Sequence, residues 1–151
     1  MKKVFLVAVA LGLVYLGYKY TWRLAPTRVY EEFARAWARG NNEEALHLAD
    51  GDKAWREIKR HTRYSLVPPA MVEFIHGIGQ TIESIEKQED DTVAIEAKQI
   101  VAFDPPGATT GIGGAMRMSF HHSVRLRKTP EGWRVIGFQP TFLEMGEVRR
   151  H

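Results

Sequence analysis

The sequence has no cysteine. That absence excludes disulfides, thiolate catalysis, cysteine-ligated metals and a lipidated cysteine, and it leaves the compartment open. The six histidines show no HExxH or comparable spacing, and the adjacent pair His121-His122 would point to opposite faces of a strand, so no metal site is expected. Gly107, Gly111, Gly113 and Gly114 lack the Gly-Lys-Ser/Thr ending of a phosphate loop and read as a flexible connection. No cofactor motif stands elsewhere. A net positive field is also missing where it would matter. The pI is near 9.3, yet Lys2, Lys3, Lys19 and Arg23 supply the excess within residues 1–27, where there is no acid. From residue 28 onward 17 Lys and Arg face 18 Asp and Glu. Nucleic acid is therefore not an expected partner.

One long apolar run exists. Val4 to Tyr18 is interrupted only by tyrosine hydroxyls, and Lys2 and Lys3 precede it. Continued to Trp22 with Lys19 snorkelling, it reaches ~28 Å as a helix, enough for a bilayer core. Tyr15, Tyr18, Tyr20 and Trp22 crowd its carboxyl end as an interfacial belt would. The expectation is an uncleaved single-pass anchor over residues 1–24, touching the lipid bilayer, with an exported domain. The alternatives are a cleaved signal peptide, whose nearest site at Ala25 is spoiled by Arg23 and Pro26, and a buried core helix. Ala8 and Gly12 would admit a second helix.

Residues 26–144 read as one α+β domain. Ala25-Pro26-Thr27 is expected to break the anchor helix, with Thr27 as the next N-cap. Val29, Tyr30, Phe33, Ala34 and Trp37 then form one helical stripe, and Gly40 fits the C′ position. Ala45, Leu46 and Leu48 suit a short second helix. Asp50-Gly51-Asp52 caps a third, with Trp55 and Ile58 inward. Arg63–Val67 is a candidate edge strand, and Met71, Val72, Phe74 and Ile75 a turn of helix after Pro68-Pro69. Thr81–Gln88 reads as a strand bulged near Ile82 and Ile85, Asp90-Asp91 as a turn, and Thr92–Phe103 as a strand interrupted by Gln99. Residues 115–144 form a hairpin. Met116, Met118, Phe120, His122, Val124 and Leu126 alternate with Arg117, Ser119, His121, Ser123, Arg125 and Arg127, and Thr129-Pro130-Glu131-Gly132 turns the chain into Trp133–Gln139. Residues 145–151 read as a polar tail.

Three stretches together resemble the nuclear transport factor two-like superfamily, also called ketosteroid isomerase-like or cystatin-like. They are Val29–Asp50 with Gly40-Asn41-Asn42-Glu43-Glu44-Ala45-Leu46, the strand Thr92–Phe103, and the hairpin ending Glu131-Gly132-Trp133-Arg134-Val135-Ile136. The resemblance implies a curved antiparallel sheet wrapped around helices, a cone whose mouth can hold a ligand. Members of the superfamily include isomerases, dehydratases, cyclases, non-catalytic domains, an inner-membrane subunit of bacterial type IV secretion machines and accessory domains of cell-wall enzymes, so fold does not fix function.

An isomerase-like cone needs a carboxylate base and a tyrosine or protonated acid as oxyanion donor. Tyr30, Tyr64, Asp104 and His122 do not reproduce that pattern: Tyr30 and Tyr64 read as packed, Asp104 as a loop cap and His122 as buried with one partner. A speculative pocket comprises Tyr30, Trp37, Tyr64, Phe74, Phe120 and His122. Arg117, Arg125, Arg127 and Arg134 are expected to form a basic stripe on the outer sheet face, either solvated or set against an acidic partner or lipid headgroups. The leading expectation is a non-catalytic protein-contact domain tethered to the inner membrane, a small subunit or accessory factor of a membrane complex. The alternatives are a ligand-binding or isomerase/dehydratase-like cone using His122 with Tyr30 or Tyr64, and a cleaved, secreted binder.

Overall fold

The computed structural model describes residues 2–63, 72–105 and 115–147. Tyr64 and the glycine connection 107–114 lie outside them, as does the edge strand expected over Arg63–Val67 apart from Arg63, which is helical instead.

Helix α1 runs unbroken over Lys2–Ala38 with Pro26 inside it. This corrects the expected break at 25–27 and the N-cap at Thr27. A helix-interior proline loses one backbone bond and costs ~3 kcal/mol. Here Pro26 is itself buried, and the stripe one turn on, Tyr30, Phe33, Ala34 and Trp37, is buried to 5% exposure or less, so packing outweighs the local cost. Among the described residues, no helix is long and apolar enough to cross a membrane.

Gly40 ends the helix as expected, at φ +67°. Its N–H donates to the Trp37 carbonyl at 3.0 Å and the Asn41 N–H to the Ala36 carbonyl at 2.9 Å, the paired bonds of a Schellman motif. Asn41 then caps α2 (Asn42–His47), accepting from the Glu44 N–H and donating to the Glu44 carboxylate at 2.7 Å. Gly51, at φ +90°, opens α3 (Asp52–Arg63). Ala54 and Ile58 face the core from α3, but Trp55 is 44% exposed, against the inward position expected of it. Its ring carries the Lys59 ammonium at 5.7 Å instead.

Four antiparallel strands follow in the order β1-β2-β3-β4. They are β1 (Ile75–Lys87), β2 (Thr92–Phe103), β3 (Met116–Thr129) and β4 (Gly132–Glu147). Strand β1 begins where a turn of helix was expected to include Ile75. The irregularity expected near Ile82 is present as a register shift between Ile82 and Ser84. Asp90 and Asp91, both at positive φ, make the β1–β2 turn. The expected polar tail is strand as far as Glu147. Strand β4 is a sheet edge, so Pro140 can sit in it without breaking a ladder on its open side.

One sheet face packs on α1. Phe120, His122, Val124 and Leu126 of β3 are buried, while Arg117, Arg125 and Arg127 are exposed, the division that the alternation predicts. Ser119 is the exception at 1% exposure, beside the β3–β4 register shift at Ser119/Phe120. Facing pairs are Val124–Phe138 and Leu126–Val135. Two glutamines opposite each other in the β1–β2 ladder tie the helix down. Gln80 donates to the Glu31 carbonyl at 3.3 Å and Gln99 to the Ala34 carbonyl at 2.8 Å. The polar residue that interrupts the β2 pattern is thus a helix clamp. The outer edge of β4 is partly covered. Ala49 bridges Val135, the Asp50 N–H donates to the Val135 carbonyl at 2.8 Å, and the Val135 N–H donates to the Leu48 carbonyl at 2.9 Å.

Candidate functional site

The inner face of β3 meets α1 in a ring cluster. Trp37 stands edge-on to Phe120 at 5.3 Å between centroids, to His122 at 5.2 Å and to Phe138 at 5.3 Å. Phe33 meets Phe138 at 4.8 Å. Edge-to-face contacts of this kind suit aromatic quadrupoles. At the centre the Tyr30 hydroxyl and His122 Nδ1 share a hydrogen bond of 3.1 Å. Both side chains are at 0% exposure.

Burial governs the chemistry of this pair. It pushes the His122 imidazole down to about 3, with a smaller push from His121. It raises the Tyr30 phenol far above its ordinary range, Glu31 adding to the effect. Near neutral pH both groups are therefore uncharged, and neither gains nor loses a proton readily. With Nδ1 accepting the phenol proton, the neutral ring carries its hydrogen on Nε2. That atom has no hydrogen-bond partner, nor has the buried Trp37 Nε1.

Of the six pocket residues expected from the sequence, four come together: Tyr30, Trp37, Phe120 and His122. Phe74 lies apart, half-buried just before β1, where its carbonyl accepts from the Asp104 N–H at 3.1 Å. Tyr64 lies outside the described residues. Phe33, Phe138 and Gln99 belong to the same interior, and Phe33 was legible as part of the α1 stripe. Asp104 is at the surface, with His76 at 3.6 Å. Among the described residues no three acidic or histidine side chains gather as a metal site.

The outer face of the sheet is ionic. His121 Nε2 lies 3.3 Å from Glu96 and 3.5 Å from Glu83, and the Ser123 hydroxyl donates to Glu96 at 2.8 Å. The expected arginine stripe is largely compensated. Arg127 meets Asp50 at 3.0 Å, Arg117 lies 3.9 Å from Glu144, and Arg134 lies 3.5 Å from Glu131. Arg125 instead enters a cleft of about 360 Å³ between α3 and the hairpin, with Lys53, Glu57, Arg60 and His61 opposite. The Phe138 N–H, on the otherwise open edge of β4, donates to Glu57 at 3.2 Å. His61 stacks edge-on to Phe138, and its proton affinity is lowered by burial and by Arg60, against an opposing effect of Glu57. Nothing in the local sequence links Glu57 to β4. Only the acidic residue amid the basics of α3 could have drawn attention.

Where α1 leaves the domain, Tyr15 and Trp22 line a cavity of about 340 Å³ with Lys87, Asp91, Lys128 and Trp133. Val9, Leu11, Leu13, Val14 and Tyr15 are exposed on that part of the helix. No family model and no curated protein matches the chain.

Proposed function

We propose that the chain is a membrane-tethered, non-catalytic interaction domain of the nuclear transport factor two-like kind, a small subunit or accessory factor of a membrane assembly. The observation that carries the non-catalytic reading is the Tyr30–His122 pair: fully buried, hydrogen-bonded and uncharged near neutral pH. General acid–base catalysis needs a group that titrates near the working pH and touches a substrate. This pair titrates far from neutrality and has no exposed surface. The cone reading is supported by a four-stranded antiparallel sheet with one face on a helix. The tether is supported by the apolar run behind Lys2 and Lys3 and by the exposed Val9, Leu11, Leu13 and Val14 on its helix. The amino end stays inside and the domain is extracytoplasmic, on the inner membrane.

The test is fractionation followed by mass measurement. Extraction only by detergent, with an intact amino terminus and a copurifying protein, supports the reading. A mature amino terminus near Pro26, or release by alkali alone, overturns the tether.

A second reading, a ligand-binding cone, is favoured by one observation: the Trp37 and His122 nitrogens are buried without partners, which native interiors rarely tolerate. A small carbonyl ligand between them would satisfy both. Indole hydrogen exchange at Trp37 separates the readings. Exchange only through global unfolding fits a sealed interior, and faster exchange with ligand-induced shifts fits an opening cone.

A further inference from the structure

Helix α3 and the hairpin enclose a cleft whose described lining is mostly basic. Lys53, Arg56 and Arg60 line adjoining clefts along α3, and Arg125 faces them from β3 across Gly137 and Phe138. All four are exposed. Among the described residues none of them has an ion-pair partner, whereas Arg117, Arg127 and Arg134 each meet a carboxylate. Glu57, the one acid among the described lining residues, accepts from the Phe138 N–H. Four cations against one carboxylate, in a region from residue 28 onward that carries more acids than bases, are a local concentration, not a reflection of composition.

Geometry selects the occupant. Lys53 to Arg60 spans about 10 Å of helix axis, with about 5.4 Å per turn. An extended peptide repeats same-side side chains about 6.6–6.8 Å apart, a comparable interval. A compact phosphate prefers convergent donors that include backbone N–H groups. Here the cations are spread along a half-open cleft, and the N–H at its floor is occupied. We propose that this cleft receives an extended, carboxylate-rich segment of a partner protein. The proposal rests on the contact-domain reading above and assigns that contact to the α3–hairpin face.

The experiment uses the full chain in detergent micelles and a fluorescent octaglutamate peptide, read by anisotropy at low salt. Octaglutamine, inorganic phosphate and single-stranded octathymidylate are the comparison probes. Octaglutamate binds, salt weakens it, and Arg60→Glu and Arg125→Glu each weaken it about tenfold or more. Arg117→Glu, the same charge change away from the cleft, leaves binding within a factor of two or so. Binding moves the His61 imidazole titration upward by NMR, because carboxylates arrive beside it. Thermal melts check folding, and the milder pair Lys53→Gln with Arg60→Gln replaces any reversal that fails to fold. The proposal is overturned if octaglutamate binds no better than octaglutamine, if Arg117→Glu is as damaging as Arg125→Glu, or if phosphate or octathymidylate binds more tightly through the same residues. The two readings fail separately. A copurifying partner retained by the Arg60→Glu, Arg125→Glu double variant removes the cleft and leaves the contact domain. Octaglutamate binding without any copurifying partner does the reverse.

Discussion

His121 and His122 are neighbours in the chain and occupy different media. His122 lies among Trp37, Phe120 and Phe138, shares one hydrogen bond with Tyr30, and is held neutral by burial. His121, one pleat away, stands between two carboxylates in water. The same divide runs the length of β3. Inside, stability comes from apolar area and ring packing, which are insensitive to salt. Outside, it comes from ion pairs that solvent screens, each contributing little. A basic residue on the outer face is thus inexpensive to change, and the face is free to carry recognition.

The largest test of this contrast is volume. Phe120→Ala should destabilise by ~3–5 kcal/mol in urea denaturation, because Phe120 is 1% exposed against Trp37. Arg125→Glu should change stability by less than about 0.5 kcal/mol. If the arginine change unfolds the domain and the phenylalanine change is harmless, the two faces are inverted.

Acid is the next probe. The folded His122 pKa, about 3, lies below its ordinary 6.5, so the unfolded chain binds the extra proton. Its stability contribution is therefore complete above about pH 6.5 and is lost as pH falls toward 3, on the order of 5 kcal/mol in all. Carboxylates add their own acid dependence, so the reading is the difference between wild type and His122→Gln. The variant's stability should fall less steeply between pH 6 and about 4. Parallel curves would mean that His122 is not held neutral by the fold.

The smallest effect belongs to the outer ion pairs. Asp50→Asn removes the Arg127 contact, made between side chains that are nearly half exposed. It should cost no more than about 1 kcal/mol, and less in high salt. A larger loss that salt does not reduce would show that the outer face is not governed by solvent in the way the contrast requires.

Much of the sheet was legible. The limits of β2, the β3–β4 turn, the bulge near Ile82 and the two faces of β3 all follow from period-two alternation and turn chemistry. What was missed lies where local preference and tertiary context disagree. Gly77 and Gly79 hid the start of β1, and Pro140 and Gly146 hid the second half of β4, although an edge strand tolerates both residue types. Pro26 pointed to a helix end that burial overrides. Within the site, Tyr30 reads from sequence as packed and His122 as buried with one partner, and both are so; that each is the other's partner could not be read there. The α3 cleft depends on Arg125, Glu57 and Phe138 meeting across long separations, for which the chain carries no local signal.

The unbroken α1 has a mechanical consequence. A flexible linker after an apolar segment would let the domain tumble independently. A helix that continues unbroken from that segment into the core instead couples the orientation of the domain to that of the segment. Its azimuth is then set by helical phase: each residue added or deleted before Pro26 would rotate the α3 cleft by about 100° around the helix axis and shift it by about 1.5 Å. Whatever holds the first twenty residues also decides which way the cleft looks.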